Sequence, residues 1–129
     1  MSKEKIKLIG YWLVTAALAA NYAFAGVMYV QLNPQVVEGA KMLGYPLYFF
    51  QMLGVGKLLG AIVIVIPKTP LFKEWAYAGI LVNLIAASYS NYSSGAEAWH
   101  VIMPLVMLLI AAVSWSLRPA NRRFSGPLI

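Results

Sequence analysis

Cysteine is absent from this chain and histidine occurs once. Without thiols there is no disulfide, no thiol redox chemistry and no cysteine-held zinc or iron–sulfur cluster. One imidazole cannot supply paired axial ligands to a haem, so no haem, iron–sulfur or zinc cofactor is expected from this chain alone. Charge is scarce as well. Only 11% of the 129 residues are charged, where a soluble domain carries roughly 25%. A chain that is 61% hydrophobic cannot cover a water-facing exterior with so little charge, so lipid must cover much of it. Acidic residues are the rarest charge, 4 against 10 Lys and Arg. The net +6 does not point to nucleic acid, because the cations sit between apolar runs rather than along one polar face. They read as topology signals beside anionic headgroups. Nucleophile triads, phosphate loops and convincing internal repeats are also missing. Glu97 and His100, three apart, are too few ligands for a metal site.

What is present is a set of four apolar runs, at about residues 6–30, 46–66, 75–91 and 98–117. About 20 helical residues cross a 30 Å hydrocarbon core at 1.5 Å each. The expected fold is an all-α membrane protein, one domain over 1–129 built as a four-transmembrane-helix bundle. The opening (Lys3, Lys5, Lys7, then an Ala-rich stretch to Ala23-Phe24-Ala25) imitates a signal peptide with a small-x-small cleavage site. The run continues to Val30, and it reads as a retained span.

Orientation follows from the cations. Lys3, Lys5, Lys7, Lys68, Lys73, Arg118, Arg122 and Arg123 fall at the termini and the second loop, against Lys41 alone in the first and third loops. The positive-inside rule then puts both termini in the cytoplasm. The bias excludes dual-topology small transporters. Tyr11, Trp12, Trp75, Tyr77 and Trp115 mark one interface; Tyr29, Tyr45, Tyr48, Tyr89, Tyr92 and Trp99 mark the other. Pro67-Lys68-Thr69-Pro70 reads as a rigid turn, and residues 118–129 as a basic, loosely ordered cytoplasmic tail.

The first external loop has its own start and stop signals. Asn33 suits an N-cap, Pro34 the first helical position and Gly44 a left-handed stop. Val36, Val37, Ala40 and Leu43 make one apolar stripe, with Glu38 and Lys41 on the wetter side. A short amphipathic helix is expected, lying on the outer membrane face or folded over the bundle mouth.

Lys57 lies near the middle of the second run, inside Gly54-Val55-Gly56-Lys57-Leu58-Leu59-Gly60. An ionised lysine at that depth is expensive unless paired. The flanking Gly56 and Gly60 form a small-xxx-small pair that permits close helix approach, so Lys57 is expected to face the bundle interior. Two readings stand open: a cationic partner for an anionic or carbonyl-bearing ligand, and a structural lysine held by carbonyls and amides. Asn21 and the central Asn83 are its candidate neighbours, or interhelical glue. Pro104 has no amide hydrogen to give the carbonyl of His100, so that carbonyl, the imidazole and Glu97 are the candidates for a polar pocket in the outer half.

Several stretches in order resemble the DoxX-like family of small four-helix membrane proteins. They are Phe24-Ala25-Gly26, Leu43-Gly44-Tyr45-Pro46, the glycine-rich run around Lys57, Lys73-Glu74-Trp75-Ala76-Tyr77-Ala78-Gly79 and Arg118-Pro119. The resemblance implies a four-helix bundle in a bacterial cytoplasmic (inner) membrane. Some relatives are subunits of quinone-linked oxidoreductases, including thiosulfate:quinone and terminal quinol oxidase systems; most have no assigned activity. Relatives often carry Ser-His where this chain has Ser90-Asn91, which weakens any transfer of a histidine role to that position.

Three functions compete at this point. The first is a membrane subunit of a redox complex, with no catalytic motif of its own, binding a quinone-like or amphipathic ligand among Lys57, Asn21, Asn83, His100 and Glu97. Its partners would be the bilayer and a redox protein, or further copies of the chain. The second is a non-catalytic interaction or assembly protein whose polar residues hold the bundle together. The third is a small anion transporter or channel, disfavoured by an inner half that looks dry.

Overall fold

A computed structural model describes residues 2–123 of the chain. Residues 124–129 of the expected tail lie outside them. Five α-helices follow in order: α1 (Lys3–Val30), α2 (Pro34–Leu43), α3 (Leu47–Val65), α4 (Pro70–Ser93) and α5 (Ala98–Ser116), then a 3-10 turn at Ala120–Arg122.

α1, α3 and α5 are long and apolar enough to cross a membrane. α4 has the length, at 24 residues, but Lys73, Glu74, Asn83 and the Ser-Tyr-Ser-Asn-Tyr-Ser end dilute its hydropathy. The four long helices form a ring in which α1 packs on α3 and α4 on α5 most extensively, while α1–α5 and α3–α4 touch more lightly. The main core joins Leu18, Tyr22, Ile64, Tyr77, Ile80 and Leu84 across all sides but α2. Large apolar side chains also face outward; Leu13, Val82 and Leu109 are 68%, 65% and 68% exposed. An all-helical ring with such a surface has its backbone polar groups satisfied internally and its exterior suited to lipid.

α1 and α3 meet backbone to backbone. A Cβ on Gly26 would stand 2.9 Å from the carbonyl oxygen of Gly54, and one on Gly54 would stand 2.8 Å from that of Gly26. This corrects the expectation that Gly56 and Gly60 bring helices together: a Cβ at either position would meet no atom within 4 Å. Gly56 and Gly60 lie about 200° and 240° round the helix from Gly54, on the side of the light α3–α4 contact.

α2 forms where its signals stand. Asn33 Oδ1 accepts from the backbone N–H of Gln35 at 3.0 Å, and Gly44 ends the helix at φ 81°, a left-handed conformation that other residues adopt at a penalty. Val36 and Ala40 pack with Phe50 of α3, against Tyr29 and Leu53. α2 therefore folds over the bundle mouth.

The opposite end departs most from expectation. The described part of the tail is not loose: Arg118 and Arg122 are buried. Arg122 donates through Nε to the Tyr11 hydroxyl at 2.7 Å and through a terminal nitrogen to the carbonyls of Ile64 (2.8 Å) and Ile66 (3.1 Å). The fully buried Lys73 donates to the carbonyls of Val63 (2.8 Å) and Ile66 and to Thr69 Oγ1 (2.7 Å). The last carbonyls of a helix have no intrahelical partner and carry its negative dipole end. Two cations take that place at the end of α3. Arg118 pairs with Glu74, whose other oxygen accepts from Trp115 Nε1 at 3.3 Å. Three hydroxyls are buried beside it, where Thr15 and Tyr77 meet Ser114 Oγ at 2.5 and 2.6 Å.

Candidate functional site

Lys57 projects from α3 between α1 and α4. Its Nζ donates to Asn83 Oδ1 at 3.1 Å. The same oxygen accepts from the Tyr22 hydroxyl at 2.9 Å. Two donors on one oxygen fix the orientation of the amide and leave Asn83 Nδ2 without a hydrogen-bond partner among the described side chains. The ammonium also lies 4.1 Å from the ring centroid of Tyr22 and 5.3 Å from that of Tyr29, where the negative ring faces stabilise a cation. A lysine has three N–H donors. One is on Asn83, and the aromatic faces leave the others available for a carbonyl or an anion.

Lys57, Asn83 and Tyr29 form part of the wall of a cavity of about 820 Å³, with Tyr22 behind them. Asn21, Lys57, Asn83 and His100 all line it, so four of the five candidate site residues share one space. Gly79, Ala86, Ala87 and Ser90 line it from the same face of α4 as Asn83. Tyr29 and Tyr45 close it toward α2, where the Tyr45 hydroxyl meets Ser90 Oγ at 2.9 Å. His100 enters from the start of α5 with its ring 3.9 Å from that of Trp99. Pro104 lines the space too, and the Ser88 hydroxyl donates to the nearby carbonyl of Val101 at 2.8 Å. Glu97 stands apart from the cavity and accepts from Trp99 Nε1 at 3.1 Å.

A second, smaller space of about 490 Å³ lies between α3 and α4 on the side nearer Lys73. Leu53, Lys57, Gly79 and Asn83 line both spaces. The Lys57–Asn83 pair is therefore their common wall. Among the described residues no group of three or more His, Asp or Glu side chains could hold a metal ion.

The DoxX-like family matches residues 13–114. The chain belongs to the DoxX-like family. The matched stretch contains every residue of both spaces, whereas Tyr11, Arg118 and Arg122 fall beyond its ends. The cavity of this DoxX-like protein thus lies wholly inside the family region, and the clasp around Arg122 draws on residues outside it. No curated protein and no solved structure matches the chain.

Two site residues escape a reading of the DoxX-like sequence. Tyr22 and Tyr29 look like span filler and an interfacial anchor, yet both flank the ammonium. Their spacing of seven, two turns on one helix face, is the signal that could have found them.

Proposed function

We propose that this DoxX-like protein is a four-span protein of a bacterial cytoplasmic membrane, with both termini inside, that holds a carbonyl-bearing amphipathic ligand of the quinone type against Lys57. In this reading it serves a redox partner protein as a binding subunit and has no catalytic motif of its own. α4 completes the four spans: Leu81, Val82 and Ile85 are exposed apolar side chains in its central stretch, and water would be a poor solvent for them.

The observation that carries the reading is the Lys57–Asn83 pair, braced from behind by the Tyr22 hydroxyl, in the wall of a cavity that also takes in Asn21 and His100. Its volume, about 820 Å³, falls in the 300–1,000 Å³ range of small-molecule sites. The residues present suit a quinone. Lys57 and Asn83 Nδ2 would donate to one ring carbonyl, and the same cavity extends from them to His100. A bound quinone would supply two-electron redox chemistry; the chain's own groups would bind it, orient it and keep water from it.

The test is extraction of the detergent-purified protein with organic solvent. Wild type should release a co-purifying quinone, and Lys57→Met should reduce the amount at least tenfold at similar protein recovery. Well-folded wild type that releases no quinone would refute the reading.

One observation favours a second reading, an assembly protein. Lys57 and Tyr22 already satisfy the Asn83 oxygen and tie α1, α3 and α4 together. In that case Lys57→Met would alter thermal stability or oligomeric state and leave the cellular phenotype intact. Transport is less well supported. Leu18, Ala61, Ile64 and Ile80 fill the core, and Arg122 closes the end beyond it. Anion flux from liposomes above background would revive it.

A further inference from the structure

The small-residue face of α3 and α4 does not serve helix packing, and its use needs another explanation. Gly56, Gly60 and Gly79 all line the 490 Å³ space between the two helices, and a Cβ on any of them would meet nothing within 4 Å. Elsewhere in the same bundle, glycine is used for contact: Gly26 and Gly54 touch. Where α3 and α4 face each other, glycine instead widens a cleft.

The cleft is polar at one end only. Lys57, Asn83 and Tyr22 stand where it joins the larger cavity; Leu59, Val63, Phe72, Trp75 and Ala76 line the rest. Leu59, Phe72 and Trp75 are more than half exposed, so the cleft is open laterally toward lipid. From Lys57 to Val63 the helix rises about 9 Å, enough for a stretch of extended hydrocarbon. The larger cavity on the other side of Lys57 carries the remaining polar groups, Asn21, Ser90, Asn91 and His100. A compact head and a thin apolar tail would each find a matching space, divided at the lysine.

We infer that the α3–α4 cleft is the tail channel and lateral entrance of the ligand site, and that the ligand is an amphiphile with one flexible apolar chain. The inference rests on the head-group reading given above and adds the ligand's second half. A lone acyl or isoprenoid chain suits the cleft because its wall is uncharged below Lys57 and no wider than removed side chains make it. A second copy of the protein would have to insert a side chain there instead, and the test separates the two.

Gly60→Leu and Gly56→Leu fill the cleft without touching the cavity, since neither glycine lines the larger space. The probes are a decyl-substituted benzoquinone and the same ring without its tail, with binding followed by quenching of tryptophan fluorescence in detergent micelles. Wild type should bind the decyl compound more tightly than the tail-less ring. Either leucine variant should lose at least tenfold in affinity for the decyl compound and keep its affinity for the ring. Unchanged decyl binding in both folded variants overturns the tail channel and leaves the head site standing. Wild type that binds neither compound overturns both. A wild-type dimer that the leucine variants convert to monomer, with decyl binding intact, assigns the cleft to a second copy and also overturns the channel. Should one variant fail to fold, the other carries the test.

Discussion

Arg122 and Tyr11 stand 111 positions apart in sequence, and the guanidinium Nε donates to the phenol oxygen at 2.7 Å. The same guanidinium caps α3, so three elements meet at one side chain. Removing it would leave a buried hydroxyl and carbonyls short of donors, a loss of about 2–4 kcal/mol. Arg122→Ala should lower the midpoint of thermal unfolding in detergent by several degrees. Arg123→Ala, which removes an exposed side chain bonded to the carbonyls of Ser116 and Arg118, should change it much less. Equal effects would argue against the clasp.

Asn83 should prove the hub of the mid-membrane cluster. Tyr22→Phe removes one of its two bonds, and interhelical hydrogen bonds in membranes average about 0.6 kcal/mol. Asn83→Leu removes both and leaves the Lys57 ammonium without its acceptor, so it should destabilise more than twice as much. The double variant should be no worse than Asn83→Leu alone. Additive losses in this cycle would mean that the Tyr22 hydroxyl has another partner.

Gly54 and Gly56 are two residues apart and should answer alanine in opposite directions. At Gly54 the new methyl would press on the Gly26 carbonyl and the Tyr29 Cβ, both at 2.8 Å, and α1 would have to move off α3. A loss of about 2 kcal/mol or more is expected, in the range of overpacked cores. Gly56→Ala meets open space and should gain up to about 1 kcal/mol of helix propensity. Thermal melts of the two variants decide the matter.

The absence of native cysteine makes the topology directly measurable. In intact cells whose outer membrane has been permeabilised, a single cysteine at Glu38 should react with a membrane-impermeant maleimide. One at Lys68 should react only after the inner membrane is opened. Labelling of both in intact cells would contradict the four-span arrangement.

Much of the fold is legible from local signals. Asn33, Pro34 and Gly44 act within a few residues of themselves, so α2 can be read where it lies. The inward placement of Lys57 follows from the solvation of a charge, which lipid cannot supply. The clasp around Arg122 is not legible in this way. Arg118, Arg122 and Lys73 count as topology signals in a sequence, and counting says nothing of the carbonyls they reach after folding. Glycine misleads for a related reason. The spacing of Gly56 and Gly60 reports that a face is smooth, not whether a helix or a void lies against it. Contact at Gly54 depends on Gly26, a pairing that only the register between α1 and α3 sets. Lys57, Asn83 and Asn21 converge because their depths along separate helices are similar, and the cavity reaches from them to His100 near the start of α5; Glu97 turns to Trp99 instead.

Arg122 leaves the ribosome after all five helices, yet its partners lie near the start of α1 and the end of α3. The helices can pack as they are synthesised, but this end of the ring cannot be closed until translation has passed that arginine. A nascent chain halted before it would hold every helix and still leave the Ile64 carbonyl and the Tyr11 hydroxyl without their guanidinium. The order of the chain thus makes closure of this end the last packing event that synthesis allows.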